Sequence, residues 1–192
     1  MKKIFTLFLI VINLSYGFPV FSKPKIYTTT KYYNIKGNTA KELRKEIDSK
    51  GQRYPGGKKR YPAFTKWHTK WEFKYGSKNS KCYISQVTVT LTINYTYPKW
   101  INKNKASKEL QKKWDTYIKN LITHEKGHAK IAQNAAAEVE KAILNTPMVN
   151  KCEDLGNNAN KIGKNVIKKW TDIEIKYDKD TKHGLTQGAK FP

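Results

Sequence analysis

The chain has 192 residues, enough for one domain with a buried core, and a formal net charge of +23. Such a field draws acidic partners, but only Arg44, Arg53 and Arg60 carry the forked guanidinium that phosphate clamps and base-reading sites favour. Dispersed lysine therefore reads as a solvated surface that could meet anionic envelope polymers, and it disfavours nucleic acid as a partner.

The chain opens as an export signal does. A positive MKK precedes the apolar run IFTLFLIVINL (residues 4–14), followed by small residues at Ser15 and Gly17 or at Val20 and Ser22. This gives residues 1–22 as a signal peptide and residues 23–192 as a single domain. No later segment is apolar for long enough to span a bilayer. The expected location is the bacterial periplasm or the exterior. In that oxidising setting Cys82 and Cys152 are expected to form one disulfide, closing a 70-residue loop.

Residues 26–37 are β-branched and aromatic and predict a strand. Thr39 and Glu42 form a capping-box pair ahead of a short helix over 40–50, and residues 51–62 make a turn-rich loop. TKWHTKWEFKY then alternates: Thr65, Trp67, Thr69, Trp71, Phe73 and Tyr75 share one face, with Lys66, His68, Lys70, Glu72 and Lys74 on the other. GSKNS turns the chain, and Val87, Val89, Leu91, Ile93, Tyr95 and Tyr97 alternate with polar residues. A hairpin results, its aromatic stripe assigned to core packing over a binding platform, with Pro98 ending the sheet.

From 106 to 145 the period becomes helical, with Leu110, Trp114, Tyr117, Leu121, His124, His128, Ile131, Ala135 and Ala142 on one stripe. Glu138 shares that stripe. Pro147 stops the helix, and a second runs over about 153–170. The tail beyond, YDKDTKHGLTQGAKFP, has no periodicity.

His124-Glu125-Lys126-Gly127-His128 fits H-E-x-x-H. On a helix, positions i and i+4 share a face, so both imidazoles can reach one zinc ion, with Glu125 beside the metal's water as general base and acid. Both histidines also fall where apolar residues should face the protein body. A catalytic zinc takes three protein ligands and keeps one position open. Position 134 is Asn, so the extended three-histidine pattern fails, and Glu138 is about 15 Å beyond His128 along the axis. A helical hairpin about Pro147 brings residues after Trp170, including Asp178 and His183, towards 124–128. His183 is the expected third ligand, with His68 and Glu153 as alternatives. Tyr177 is a candidate oxyanion stabiliser, with packing as its competing role.

The segments YYNIKGNTAKELRKEI, TKWHTKWEF, CYISQVTVTL, HEKGH and YDKDTKHGLTQGAKFP together resemble a bacterial family. It is domain-of-unknown-function family 922, described as predicted secreted zinc-dependent proteases. The resemblance runs from about Tyr32 to Pro192 and implies a zincin-like fold. The expected architecture is α+β, a small antiparallel sheet followed by a long active-site helix, a second helix and a C-terminal tail. The expected activity is peptide-bond hydrolysis with Zn2+, acting on a peptide or protein laid along the exposed edge of the hairpin. Its rivals are a non-catalytic envelope-binding module with a structural zinc, and a cell-wall amidase.

Overall fold

The computed structural model describes residues 23–53 and 57–191, so the expected signal peptide lies outside the described residues. The long strand β5 (Lys81–Trp100) is the centre of a three-stranded sheet. On one side it pairs antiparallel with β4 (Phe64–Lys78), on the other parallel with β1 (Lys25–Ile35). The sheet is therefore mixed, not wholly antiparallel as expected. Between β1 and β5 lie α1 (Ala40–Lys50) and all of β4. That is ample chain for the crossover a parallel pair requires.

Local chemistry sets most boundaries. Thr39 Oγ1 accepts the Glu42 N–H, and the Glu42 carboxylate returns to the Asn38 N–H at 2.6 Å, fixing the start of α1. The loop after α1 contains a two-residue pairing of β2 (Gln52–Arg53) with β3 (Arg60–Tyr61). The hairpin turn is tighter than expected, because Asn79 and Ser80 both adopt positive φ, at 52° and 59°. Pro98 does not end the sheet. The Ile101 N–H points to Ile35 in β1, so by alternation the position of Pro98 faces the β4 side, where pairing has already stopped at Phe64–Thr96.

Two helices cover one face of the sheet. α2 (Lys108–Leu144) starts at Ser107, whose hydroxyl accepts the Leu110 N–H. α3 (Cys152–Thr181) has no side-chain cap at its N-terminus. It is tied down instead by the Cys82–Cys152 disulfide and by backbone hydrogen bonds between Cys82 and Val149. α3 also runs eleven residues past its expected end near Trp170, since it closes at Thr181. The apolar stripe fades there because the inward positions become polar, namely Glu174, Asp178 and Thr181.

Two apolar clusters result. Val87, Val89, Leu91 and Ile93 pack against Ala132, Ala136, Val139 and Ile143 of α2 and Leu155 and Ala159 of α3. The second cluster joins Ile35, Leu43, Trp100, Trp114, Tyr117 and Phe191, so the C-terminal residues are held in the core and not frayed. Leu121 belongs to the second cluster and Ala129 to the first. The turn of α2 between them carries the histidines. Among the described residues, no helix is long and apolar enough to cross a membrane.

Candidate metal centre

His124, Glu125 and His128 are all buried, at 3%, 4% and 4% exposure, on the face of α2 that meets α3 and β4. Opposite them, α3 presents Glu174, Tyr177 and Asp178. An i, i+4 pair on α2 thus faces an i, i+4 pair on α3 across the helical hairpin.

The inner atoms form a nearly equilateral triangle. His128 Nε2 is 3.2 Å from His124 Nε2 and 3.1 Å from Asp178 Oδ1, and His124 Nε2 is 3.2 Å from the same Oδ1. The outer ring atoms fix the tautomers. His124 Nδ1 is 2.9 Å from Gln187 Oε1, and His128 Nδ1 is 3.2 Å from Glu174 Oε1. Each outer nitrogen donates to an oxygen, which leaves each Nε2 with its lone pair turned inward. Two lone pairs and a carboxylate oxygen converge on one point, an arrangement that demands a cation or a proton.

The donor set fits zinc. Tetrahedral ligands at 2.0–2.1 Å from the ion lie about 3.3 Å from one another, close to the observed spacing. Two imidazoles and one carboxylate form a known catalytic ligand class, and both imidazoles have the outer oxygen partners such sites use. His124, His128 and Asp178 are therefore the group that could hold a metal.

In the metal-free protein a proton answers the same demand. Burial pushes the His128 pKa down, but hydrogen bonds to Asp178 and Glu174 outweigh it and lift the group to about 9. Burial acts upward on Asp178, yet hydrogen bonds from His124 and His128 hold it well below the ordinary carboxylate range. Glu125 moves the other way. Its burial raises the pKa, opposed in part by Thr65, whose Oγ1 donates to Oε2 at 2.5 Å.

Asp178, not His183, completes the triangle. The expectation for His183 assumed an irregular tail swinging back, whereas the helix itself continues and delivers Asp178. His183 sits just past the helix end at φ 53°, with its N–H on the Asp178 carbonyl and its Nδ1 3.3 Å from Asp178 Oδ2. It steadies the far oxygen of the carboxylate and packs against Tyr61, with ring centroids 5.0 Å apart and planes tilted by 56°. The alternatives lie elsewhere. His68 is exposed on the outer face of β4, and Glu153 is exposed in the first turn of α3, about 37 Å along the helix from Asp178.

Tyr177 stacks on the His124 ring at 5.1 Å with planes 10° apart, and its hydroxyl donates to the His124 carbonyl at 3.1 Å. These are packing contacts that brace the His124 ring. The tail residues also buttress His124. Gly184, at φ 84°, lets the backbone approach so closely that an added Cβ would lie 3.0 Å from His124 Cγ. Gln187 then reaches Nδ1. Glu174, Gln187 and Thr65 join the site without a motif in the sequence to mark them. The available signal was the run of polar residues on the inward stripe of α3.

The model of a family described as bacterial protein of unknown function (DUF922) matches residues 30–184, a span that includes both histidines, Glu125, Glu174 and Asp178. No curated protein and no solved structure matches the chain.

Proposed function

The chain belongs to the bacterial family of unknown function DUF922, and from that premise we propose that it is an exported, zinc-dependent peptide hydrolase of zincin-like architecture. The observation that carries this reading is the 3.1–3.2 Å triangle of His124 Nε2, His128 Nε2 and Asp178 Oδ1 with Glu125 beside it. Zinc bound there would polarise the scissile carbonyl and acidify a water.

The chain's own residues supply the rest. Thr65 holds Oε2 of Glu125, so Oε1 is the oxygen left to take the water's proton and hand it to the leaving amine. Burial, by raising the Glu125 pKa, makes the carboxylate a better proton carrier near neutral pH. Glu174 and Gln187 keep the two imidazoles in the tautomer with Nε2 open. The Cys82–Cys152 disulfide suits an oxidising compartment.

The test is a metal analysis of the purified protein together with hydrolysis of a protein substrate such as casein. One zinc per chain is expected, and Glu125→Gln should keep the zinc and lose hydrolysis. Absence of stoichiometric metal, or full activity in Glu125→Gln, would sink the reading.

A further inference from the structure

We propose that the groove between the outer edge of β4 and α3 binds an extended peptide. The peptide carries a large apolar side chain next to the bond to be cut and an acidic side chain about four residues away. This deepens the hydrolase reading and rests on it.

The cavity at the triangle has room for about one water, near 20 Å³, so a substrate side chain must be housed elsewhere. The groove beside it holds about 450 Å³ and shares Phe64 and Thr65 with that small cavity. Glu174 lines the groove while its carboxylate holds His128 Nδ1. The groove therefore runs alongside the centre, with Phe64 and Thr65 as the wall the two cavities share.

Its walls say what fits. Lys66 and His68, from one face of β4, line it together with Thr65, Trp67, Thr69 and Trp71 from the other. When both alternating faces border a groove, the strand presents its edge, and β4 has β5 on one side and no strand on the other among the described residues. An incoming peptide can pair with that edge as an added strand. Between the main chains, the half-buried Trp67 and Trp71 face Ile167 of α3, a pocket for an aromatic or large aliphatic side chain.

Length and charge give the second element. From Glu174 to Lys164 the helix covers about 15 Å, the reach of four to five extended residues. The centre end carries the Glu174 carboxylate, already engaged with His128, and the far end carries the exposed ammonium of Lys164. Lys164 thus favours an acidic residue away from the centre, and the Glu174 carboxylate disfavours one beside it.

The test uses zinc-loaded Glu125→Gln protein, so that binding is read without turnover, by quenching of its native tryptophans. The probe is a blocked alanine-based decapeptide with one phenylalanine and, four residues away, one glutamate, supplied in both orders. Replacing phenylalanine by alanine should weaken binding about tenfold or more, and glutamate by lysine about threefold. Thr171→Trp, a change at an exposed rim position of α3, should block the groove and abolish binding without loss of zinc. Lys164→Glu should reverse the preference between glutamate and lysine. Binding that ignores the phenylalanine, or that survives both variants unchanged, overturns the inference, as does failure of every peptide to bind at millimolar concentration. The two readings fail separately. Selective binding with no cleavage by the wild-type protein leaves the groove standing and removes the hydrolase, and cleavage without the preference does the reverse.

Discussion

The Tyr177 hydroxyl occupies the space that a Cβ on Gly127 would need, since the two atoms would stand 2.0 Å apart. The glycine inside the H-E-x-x-H motif is thus the seat of a tyrosine from the other helix, and that tyrosine stacks on His124. Gly127→Ala should destabilise the protein by about 2 kcal/mol, overpacking outweighing the helix propensity gained. In a double-mutant cycle with Tyr177→Leu the two costs should fall well short of additive. Urea unfolding of the four proteins checks this, and additive losses would show that Gly127 and Tyr177 do not interact.

Asp178 and His183 make different contacts, and their substitutions should differ accordingly. Asp178→Asn removes a charge from the triangle, whereas His183→Ala removes only a partner of the outer oxygen of Asp178. Loss of such an outer partner costs about 10- to 100-fold in metal affinity. Asp178→Asn should cost more than His183→Ala in a chelator competition. Equal losses, or a greater loss for His183→Ala, would return the third ligand position to His183.

Much of this arrangement was legible in the residues because it rests on local periodicity. The alternation of Trp67, Trp71 and Phe73 gave the hairpin, and the three-four spacing from Leu110 to Ala142 gave α2 with its histidines inward. The place of Asp178 in the triangle was not, because inward polar residues interrupt the apolar pattern that reveals structure. Glu174 and Asp178 follow Ile167 and Trp170 at helical spacing, but their polarity reads as the end of an amphipathic helix. Glu138 on the α2 stripe was the same signal in plainer form. It accepts from the Trp170 indole at 2.8 Å and pairs with Lys169, so it is a link between the helices and no part of the His124–His128–Asp178 triangle. The parallel pairing of β1 was hidden for another reason, since alternation reports which face a residue occupies but not which neighbour its strand takes.

The disulfide should carry a large share of the fold's stability. It joins the start of β5 to the uncapped end of α3 across 70 residues, and closing a loop of that length is worth about 4 kcal/mol by chain entropy. Cys82→Ser with Cys152→Ser should lower the urea stability by about 2–5 kcal/mol. Reduction of the wild-type protein should give a similar loss. A change under about 1 kcal/mol would mean that the Cys82–Val149 backbone bonds suffice to hold the helix.

The metal-free protein should be most stable in mild acid and weaken as pH rises, an uncommon direction for a chain whose carboxylates are paired. His128 titrates near 9 when folded and near 6.5 when unfolded, so the folded state binds the proton more tightly. Its contribution is complete below about pH 6.5 and is lost as pH climbs through 9. Glu125, raised by burial, acts in the same sense from about pH 4 upward. Asp178, held low, acts oppositely, since its contribution is present above about pH 4 and disappears below it. The maximum therefore falls at about pH 4 to 5, with a steeper decline above about 6.5 as the His128 contribution is lost. Zinc bound at the triangle would take the proton's place, so the metal-loaded protein should lose the decline between 6.5 and 9, with zinc uptake at pH 7 releasing a proton. Urea midpoints of chelator-treated protein at pH 5, 7 and 9 give the profile, and His128→Gln should flatten its upper limb. A midpoint that holds steady or rises from pH 6.5 to 9 in the metal-free wild-type protein would show that no proton bridges the triangle.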